Sequence, residues 1–269
     1  MDYSNGNGSQ GNKTRVKRGR AESNSWSDFE TDPDHEVKPP TSKKFRQDDV
    51  VVRSVRYPDK YENHIFAAGN NEIHFNAHVD GETITRLKKL ISIIVEENKD
   101  KLVRFNEDRT VPAERAKDPP VMITYIVNSP GGSVHDVLDC VDYVNFLRCT
   151  FANIKFTSII TGMVASAGTI MCVIADKRKM TRFSFAMIHE LSTGVARTNY
   201  TRIMTHAEFI QNVHNVLVTI YQECRGISMD DVEKKNELEI LLKDETWMSP
   251  AKYKEHGFVD EIIAVHKRS

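Results

Sequence analysis

Cysteine is scarce, with Cys140, Cys149, Cys172 and Cys224 making up all four in 269 residues and forming no C-x-x-C pair. That spacing argues against a disulfide frame and for free thiols in a reducing compartment, so a cytoplasmic protein is expected. Charge of one sign is missing as well: 37 Lys and Arg oppose 38 Asp and Glu, for a net charge of −1. A dedicated nucleic-acid binder has a clearly basic domain, so no nucleic-acid partner is expected. No G-K-[ST] follows a glycine-rich turn, which leaves no P-loop. There is no H-E-x-x-H, and His74 and His78 stand in a strand-then-loop pattern rather than on a helix; neither a metal nor another cofactor is expected. Residues 1–10 hold no apolar stretch, so no signal peptide is expected. The uncharged run 156–175 is about as long as a bilayer span. Thr157, Ser158, Thr161, Gly162, Ser166, Gly168 and Thr169 interrupt it, and it reads as a buried strand followed by a buried helix, so no membrane partner is expected.

What is present divides into a tail and a folded part. At roughly 150 residues per domain the length allows one large domain or two small ones, and a hydrophobic share of 39% suggests polar tails diluting a packed domain. Residues 1–49 read as a disordered charged tail, a basic block (Lys13 to Arg20) preceding an acidic one (Asp28 to Glu36). Such a segment buries too little apolar surface to offset the cost of ordering it. From residue 50 to 269 strand and helix patterns alternate. Strands are expected at 72–75, 121–127, 154–160, 185–188 and 262–265, with 121–127 apolar enough to be buried on both faces. Helices are expected at 80–97, 133–147, 201–225, 229–242 and 249–256. Residues 98–120 are charged, aperiodic and end in Pro119-Pro120, a surface insertion. Alternating β and α units imply an α/β fold with a mostly parallel sheet.

Three segments fall just past strand ends, where α/β folds place their sites. In Asn128-Ser129-Pro130-Gly131-Gly132-Ser133 the two glycines uncover the backbone, so its N–H groups can approach a ligand. Ser133 can cap the next helix. Taken alone, the segment is equally a tight turn. In Gly162-Met163-Val164-Ala165-Ser166-Ala167-Gly168 small residues let a peptide backbone come close to Ser166, at a helix start that favours developing negative charge. Taken alone, Ser166 reads as a packing serine. In Met187-Ile188-His189-Glu190, His189 ends an apolar strand. Most such histidines are core or rim residues, but one paired with a serine accepts the hydroxyl proton and returns it to the leaving amine.

Together, S-P-G-G, G-M-V-A-S-A-G, M-I-H and the terminal stretch Glu245-Thr246-Trp247-Met248-Ser249 through Gly257-Phe258-Val259-Asp260 resemble the proteolytic subunit of the Clp protease, ClpP, over roughly residues 65–264. The resemblance implies the ClpP/crotonase-like fold, stacked β-sheet and helices plus a handle helix at 201–225, with a handle strand within 191–200. It implies a serine endopeptidase acting on polypeptide substrates inside a homo-oligomeric ring, a double heptamer among the arrangements, with a Clp-type ATPase as partner. By motif position, Ser166 matches the nucleophile, His189 the base, and the N–H groups of Gly132 and Ala167 the oxyanion hole. Gly131, Leu191 and Ser192 fall beside the extended substrate. The family has methionine where Ala167 stands, which alters pocket shape more than a backbone donor. The family's aspartate position holds Glu245, with Asp244 before it as the alternative; phage-encoded relatives carry Glu in an E-T-W setting. The long tail and the 98–120 insertion depart from the family and bear on how an ATPase docks. Two other readings stay open: a phage head-maturation protease working without an ATPase, and a silent ring subunit.

Overall fold

Helices and strands alternate through residues 60–194, 197–228 and 230–264, which the computed structural model describes. The tail expected over 1–49, residues 50–59 after it, and Met229 and Val265 at the expected ends of a helix and a strand lie outside these residues. Among the described residues the strands are β1 (Ile65–Ala67), β2 (Glu72–Phe75), β3 (Val121–Ser129), β4 (Ile154–Ala165), β5 (Lys177–Thr181), β6 (Phe185–Ile188), β7 (Thr246–Met248) and β8 (Glu261–Ile263). The α-helices are α1 (Gly81–Glu97), α2 (Val134–Thr150), α3 (Ala167–Val173), α4 (Tyr200–Cys224), α5 (Val232–Lys243) and α6 (Pro250–Glu255).

Local chemistry sets the first helices. Asp80 accepts the Thr83 N–H at 2.9 Å while Thr83 Oγ1 accepts the Asp80 N–H at 2.9 Å, a reciprocal cap that starts α1. Ser133 Oγ accepts the Asp136 N–H at 3.3 Å and starts α2. Leu87 and Ile91 of α1 and Val137 and Val144 of α2 are fully buried, each contributing on the order of 1.5–3 kcal/mol.

The strands form one sheet with the main order β1-β2-β3-β4-β5-β8; β6 joins β4, and β7 joins β6. All pairings are parallel except β1 with β2 and β6 with β7. The 12-residue β4 is the spine. It pairs β5 through Thr157–Ile160 and then β6 through Met163–Ala165, so the sheet fans where β4 ends.

Two expectations need correction. β3 is not buried on both faces: Val121, Ile123, Tyr125 and Val127 point into the core, while Met122 is 37% exposed and Thr124 and Ile126 are half-buried. The helices therefore cover one face of this strand far better than the other. No strand forms in the described residues of 191–200, because a strand needs a hydrogen-bonded neighbour and none pairs there. The long helix α4 is divided: Val213, Leu217, Val218 and Tyr221 are buried in its second half, while Tyr200, Ile203, Met204 and Phe209 of its first half are exposed.

The 98–120 segment runs over the surface but is tied down. Leu102 and Val103 are buried, the Val103 N–H donates to Asn153 Oδ1 at 2.8 Å, and Arg115 pairs with Asp118 at 2.7 Å. The uncharged run 156–175 becomes most of β4, then α3, and no helix among the described residues is long and apolar enough to cross a membrane.

Candidate active site

β3, β4 and β6 are adjacent in the sheet, and the groups singled out in the sequence follow their ends. After β4 the chain turns at Ser166, whose φ of 52° and ψ of −130° lie where non-glycine residues are rare. Such a conformation costs on the order of 1–3 kcal/mol and persists only when its surroundings hold it. Here the Ser166 N–H donates to the Met187 carbonyl at 2.9 Å, and the Ser166 carbonyl accepts the Thr169 N–H at 2.9 Å and the Thr169 hydroxyl at 2.6 Å. The Ser166 side chain makes no cap bond to α3. Its Oγ instead lies 2.7 Å from Nε2 of His189, directly beyond β6.

The glycine turn after β3 packs under this serine. Gly131 has φ of 89°, and a Cβ there would stand 2.5 Å from the Ala165 carbonyl oxygen and 2.7 Å from Ser166 Cβ. Only a residue without Cβ admits the close approach. The turn is clamped from the other side, with the Val79 N–H donating to the Gly131 carbonyl at 2.8 Å and the Ser133 N–H donating to the Val79 carbonyl at 2.8 Å. That ladder uses the groups flanking Gly132 and turns the Gly132 N–H away from Val79.

A pocket of about 250 Å³ opens beside Ser166. Gly132, Ser166, Ala167, His189, Leu191 and Ser192 all line it, and Gly131 lies beneath. Its apolar wall, Val134, Ile170, Leu217 and Tyr221, escaped the sequence reading. The usable signal was helical spacing: Ile170 follows Ser166 by one turn, and Leu217 and Tyr221 stand one turn apart on α4.

The carboxylates are less closely placed. Ile188 pairs with Thr246 where β6 meets β7, so Glu245 stands opposite His189 one step further along the ladder. Glu245 has φ of 45°, and Asp244 before it is the C-cap of α5. Both are exposed, and no hydrogen bond joins either to His189 among the described residues. The structure brings serine and imidazole together and leaves the acids in solvent. Away from the pocket, His74 stacks on Phe66 with ring centroids 4.7 Å apart, and His206 lies 3.5 Å from Thr193 Oγ1. Among the described residues no group of three His, Cys, Asp or Glu side chains is placed to hold a metal ion.

Comparison with known proteins bears on the same residues. The family model for the Clp protease matches residues 82–266. ATP-dependent Clp protease proteolytic subunits of Streptococcus pneumoniae strains Hungary19A-6, CGSP14 and 70585 are each 35% identical to the chain over 152 residues, 55% of this chain and 72% of each relative.

Proposed function

From the premise that the chain belongs to the Clp protease family and is a serine endopeptidase, we propose that Ser166 is its nucleophile and His189 its general base. The observation that carries this assignment is the 2.7 Å approach of Ser166 Oγ to His189 Nε2 at the mouth of a pocket. Ser166 Oγ attacks the peptide carbonyl carbon as its proton passes to His189 Nε2. The carbonyl oxygen, now negative, is held by the N–H groups of Gly132 and Ala167. His189 then gives the proton to the departing amine, leaving an acyl group on Ser166 that water removes by the same steps. Glu245 is the better-placed acid, because the β6–β7 ladder puts residue 245 opposite His189; its carboxylate, which stands in solvent, orients the imidazole by swinging onto it.

The substrate is an extended polypeptide lying along Gly131, Leu191 and Ser192, held mainly through its backbone and therefore read with broad sequence tolerance. The working particle is a homo-oligomeric ring located in the cytoplasm and fed by a separate Clp-type ATPase. The exposed apolar residues of the first half of α4 support contacts between copies, since a helix face carrying Tyr200, Ile203 and Met204 is poorly matched to water.

Ser166→Ala is the test. Hydrolysis of a fluorogenic peptide and labelling by a fluorophosphonate should both vanish while the native mass of the assembly is unchanged. Retained labelling would refute the nucleophile assignment. Stimulated degradation of a folded substrate on adding a Clp-type ATPase tests the partner, and its absence with peptidase intact would favour a protease working alone.

A further inference from the structure

Two buried hydroxyls beneath the nucleophile turn have no part in the chemistry above. Thr169 is 0% exposed and Tyr221 3%. Thr169 Oγ1 lies 2.6 Å from the Ser166 carbonyl oxygen, and the Tyr221 hydroxyl oxygen lies 2.6 Å from Thr169 Oγ1. Elimination fixes the direction of this chain. A carbonyl oxygen only accepts, so the single Thr169 hydroxyl proton points at Ser166, and the tyrosine must donate its own proton to Thr169 Oγ1. Burial pushes the Tyr221 phenol above its ordinary range, so it stays a donor.

The carbonyl gripped in this way belongs to a special peptide. The unit joining Ser166 to Ala167 is planar, and in the trans form its C=O and N–H lie in one plane and point in opposite directions. Whatever holds the Ser166 oxygen therefore aims the Ala167 N–H. Two bonds hold it, from the Thr169 N–H and from the Thr169 hydroxyl, and the second is reinforced by the phenol behind it. We propose that Thr169 and Tyr221 are positioning residues, a buried hydroxyl relay that sets the Ser166–Ala167 peptide plane and points the Ala167 N–H at the oxygen of the tetrahedral intermediate. This rests on the oxyanion assignment made above. Tyr221 also lines the pocket beside Ser166, so the wall facing a substrate side chain and the donor facing its carbonyl are two ends of one hydrogen-bonded chain.

Full-length Thr169→Val, Thr169→Ser and Tyr221→Phe are compared with the parent for kcat and KM on a fluorogenic peptide. Inhibition by a peptide boronate, which forms a tetrahedral adduct on the serine, is set against binding of the uncleaved product peptide. Removing an oxyanion donor outright costs about 10²–10³ in kcat, so misaiming one in Thr169→Val should cost about 10–10². Boronate affinity should fall by a similar factor, with KM and product affinity within about twofold, because the donor is engaged only by the tetrahedral oxygen. Thr169→Ser should recover most of the loss and Tyr221→Phe should fall between. A purely structural role would lower thermal stability while leaving the ratio of boronate to product affinity unchanged, and that result overturns the relay. If Thr169→Val fails to fold, Tyr221→Phe decides alone, since it keeps the ring and removes one oxygen. Hydrolysis surviving in Ser166→Ala would sink the functional assignment; a dead Ser166→Ala beside an unaltered Tyr221→Phe and Thr169→Val would sink only the relay.

Discussion

One added methyl group at Gly131 tests the assembly of the site directly. A Cβ there would lie 2.5 Å from the Ala165 carbonyl oxygen, 2.7 Å from Ser166 Cβ and 3.1 Å from the Ala167 nitrogen. Two of these atoms are backbone and the third is the root of the nucleophile side chain, so no rotamer change relieves the clash. The φ of 89° adds a separate penalty, about 1–2 kcal/mol for an L-residue in left-handed space. Overpacking contributes about 1–3 kcal/mol, so Gly131→Ala should lose about 2–5 kcal/mol of stability. The turn must part from Ser166 by a sizeable fraction of an ångström, and displacement of a reacting group by about 1 Å costs on the order of 10²-fold in rate. Gly226 supplies the control: its φ is 65° but nothing lies within 4 Å of its missing Cβ. Gly226→Ala should therefore show the conformational part alone, about 1–2 kcal/mol, with kcat unchanged. Urea unfolding and peptide hydrolysis of the three proteins separate the contributions. A Gly131→Ala protein as stable and as active as Gly226→Ala would refute the close contact between the glycine turn and the nucleophile.

Glu245→Gln should lower kcat by at least about tenfold, while Asp244→Asn stays within about twofold; steady-state kinetics decide, and the reverse order would overturn the register argument. Burial pushes the Asp176 carboxyl up, but the Phe156 N–H and the Arg148 guanidinium outweigh it and hold the group below its ordinary range. A carboxylate depressed by folding stabilises above its unfolded pKa, near 3.9, and that stability is lost as pH falls through the lower folded value. The urea midpoint should thus decline below about pH 4, and Asp176→Asn should flatten that decline; an unchanged slope would contradict the pairing. Burial pushes the Cys140 and Cys224 thiols up to about 12 and raises Cys172 too, whereas Cys149 is exposed. Iodoacetamide at mildly alkaline pH should modify Cys149 first in the folded protein, read by peptide mass mapping, and fast modification of a buried thiol would count against this core.

What the sequence made legible was set by local chemistry. Ser133 announces α2 because a cap is a contact across three residues. The limits of β2 follow from Ile73 and Phe75 alternating with Glu72 and His74, and those of β6 from a short apolar run between polar breaks. β5 was hidden because Lys177–Thr181 is charged, and its strand character comes from pairing with β4 and β8 and from ion pairs of Lys179 with Glu261 and Arg178 with Asp260. Those partners are remote in the chain and no window contains them. β3 misled in the other direction: Met122 and Ile126 are apolar although their face is only partly covered. At the site, Gly131, Gly132, Ser166 and His189 were singled out because each follows a strand, and only the resemblance of the four motifs together gave them roles. Val134, Ile170, Leu217 and Tyr221 were not, since they reach the pocket from helices whose packing only the folded chain reveals.

Order in the sheet explains why groups scattered along the chain can meet. Ser129 pairs with Val164 and Ala165 with Met187, so the ends of β3, β4 and β6 lie side by side, each about 4.8 Å from the next. A serine hydroxyl and an imidazole just span one such gap. Parallel strands place their C-terminal ends on the same edge, which is why the glycine turn, Ser166 and His189 all follow their strands. β7 runs antiparallel to β6, so its beginning reaches that edge, and Glu245, the acid proposed above, directly precedes it. Side chains alternate between faces along a strand. Residues could therefore be added in the 98–120 surface segment without disturbing the pairing, whereas deletion of one residue within β6 would shift His189 by one place along the strand and carry its imidazole to the face away from Ser166.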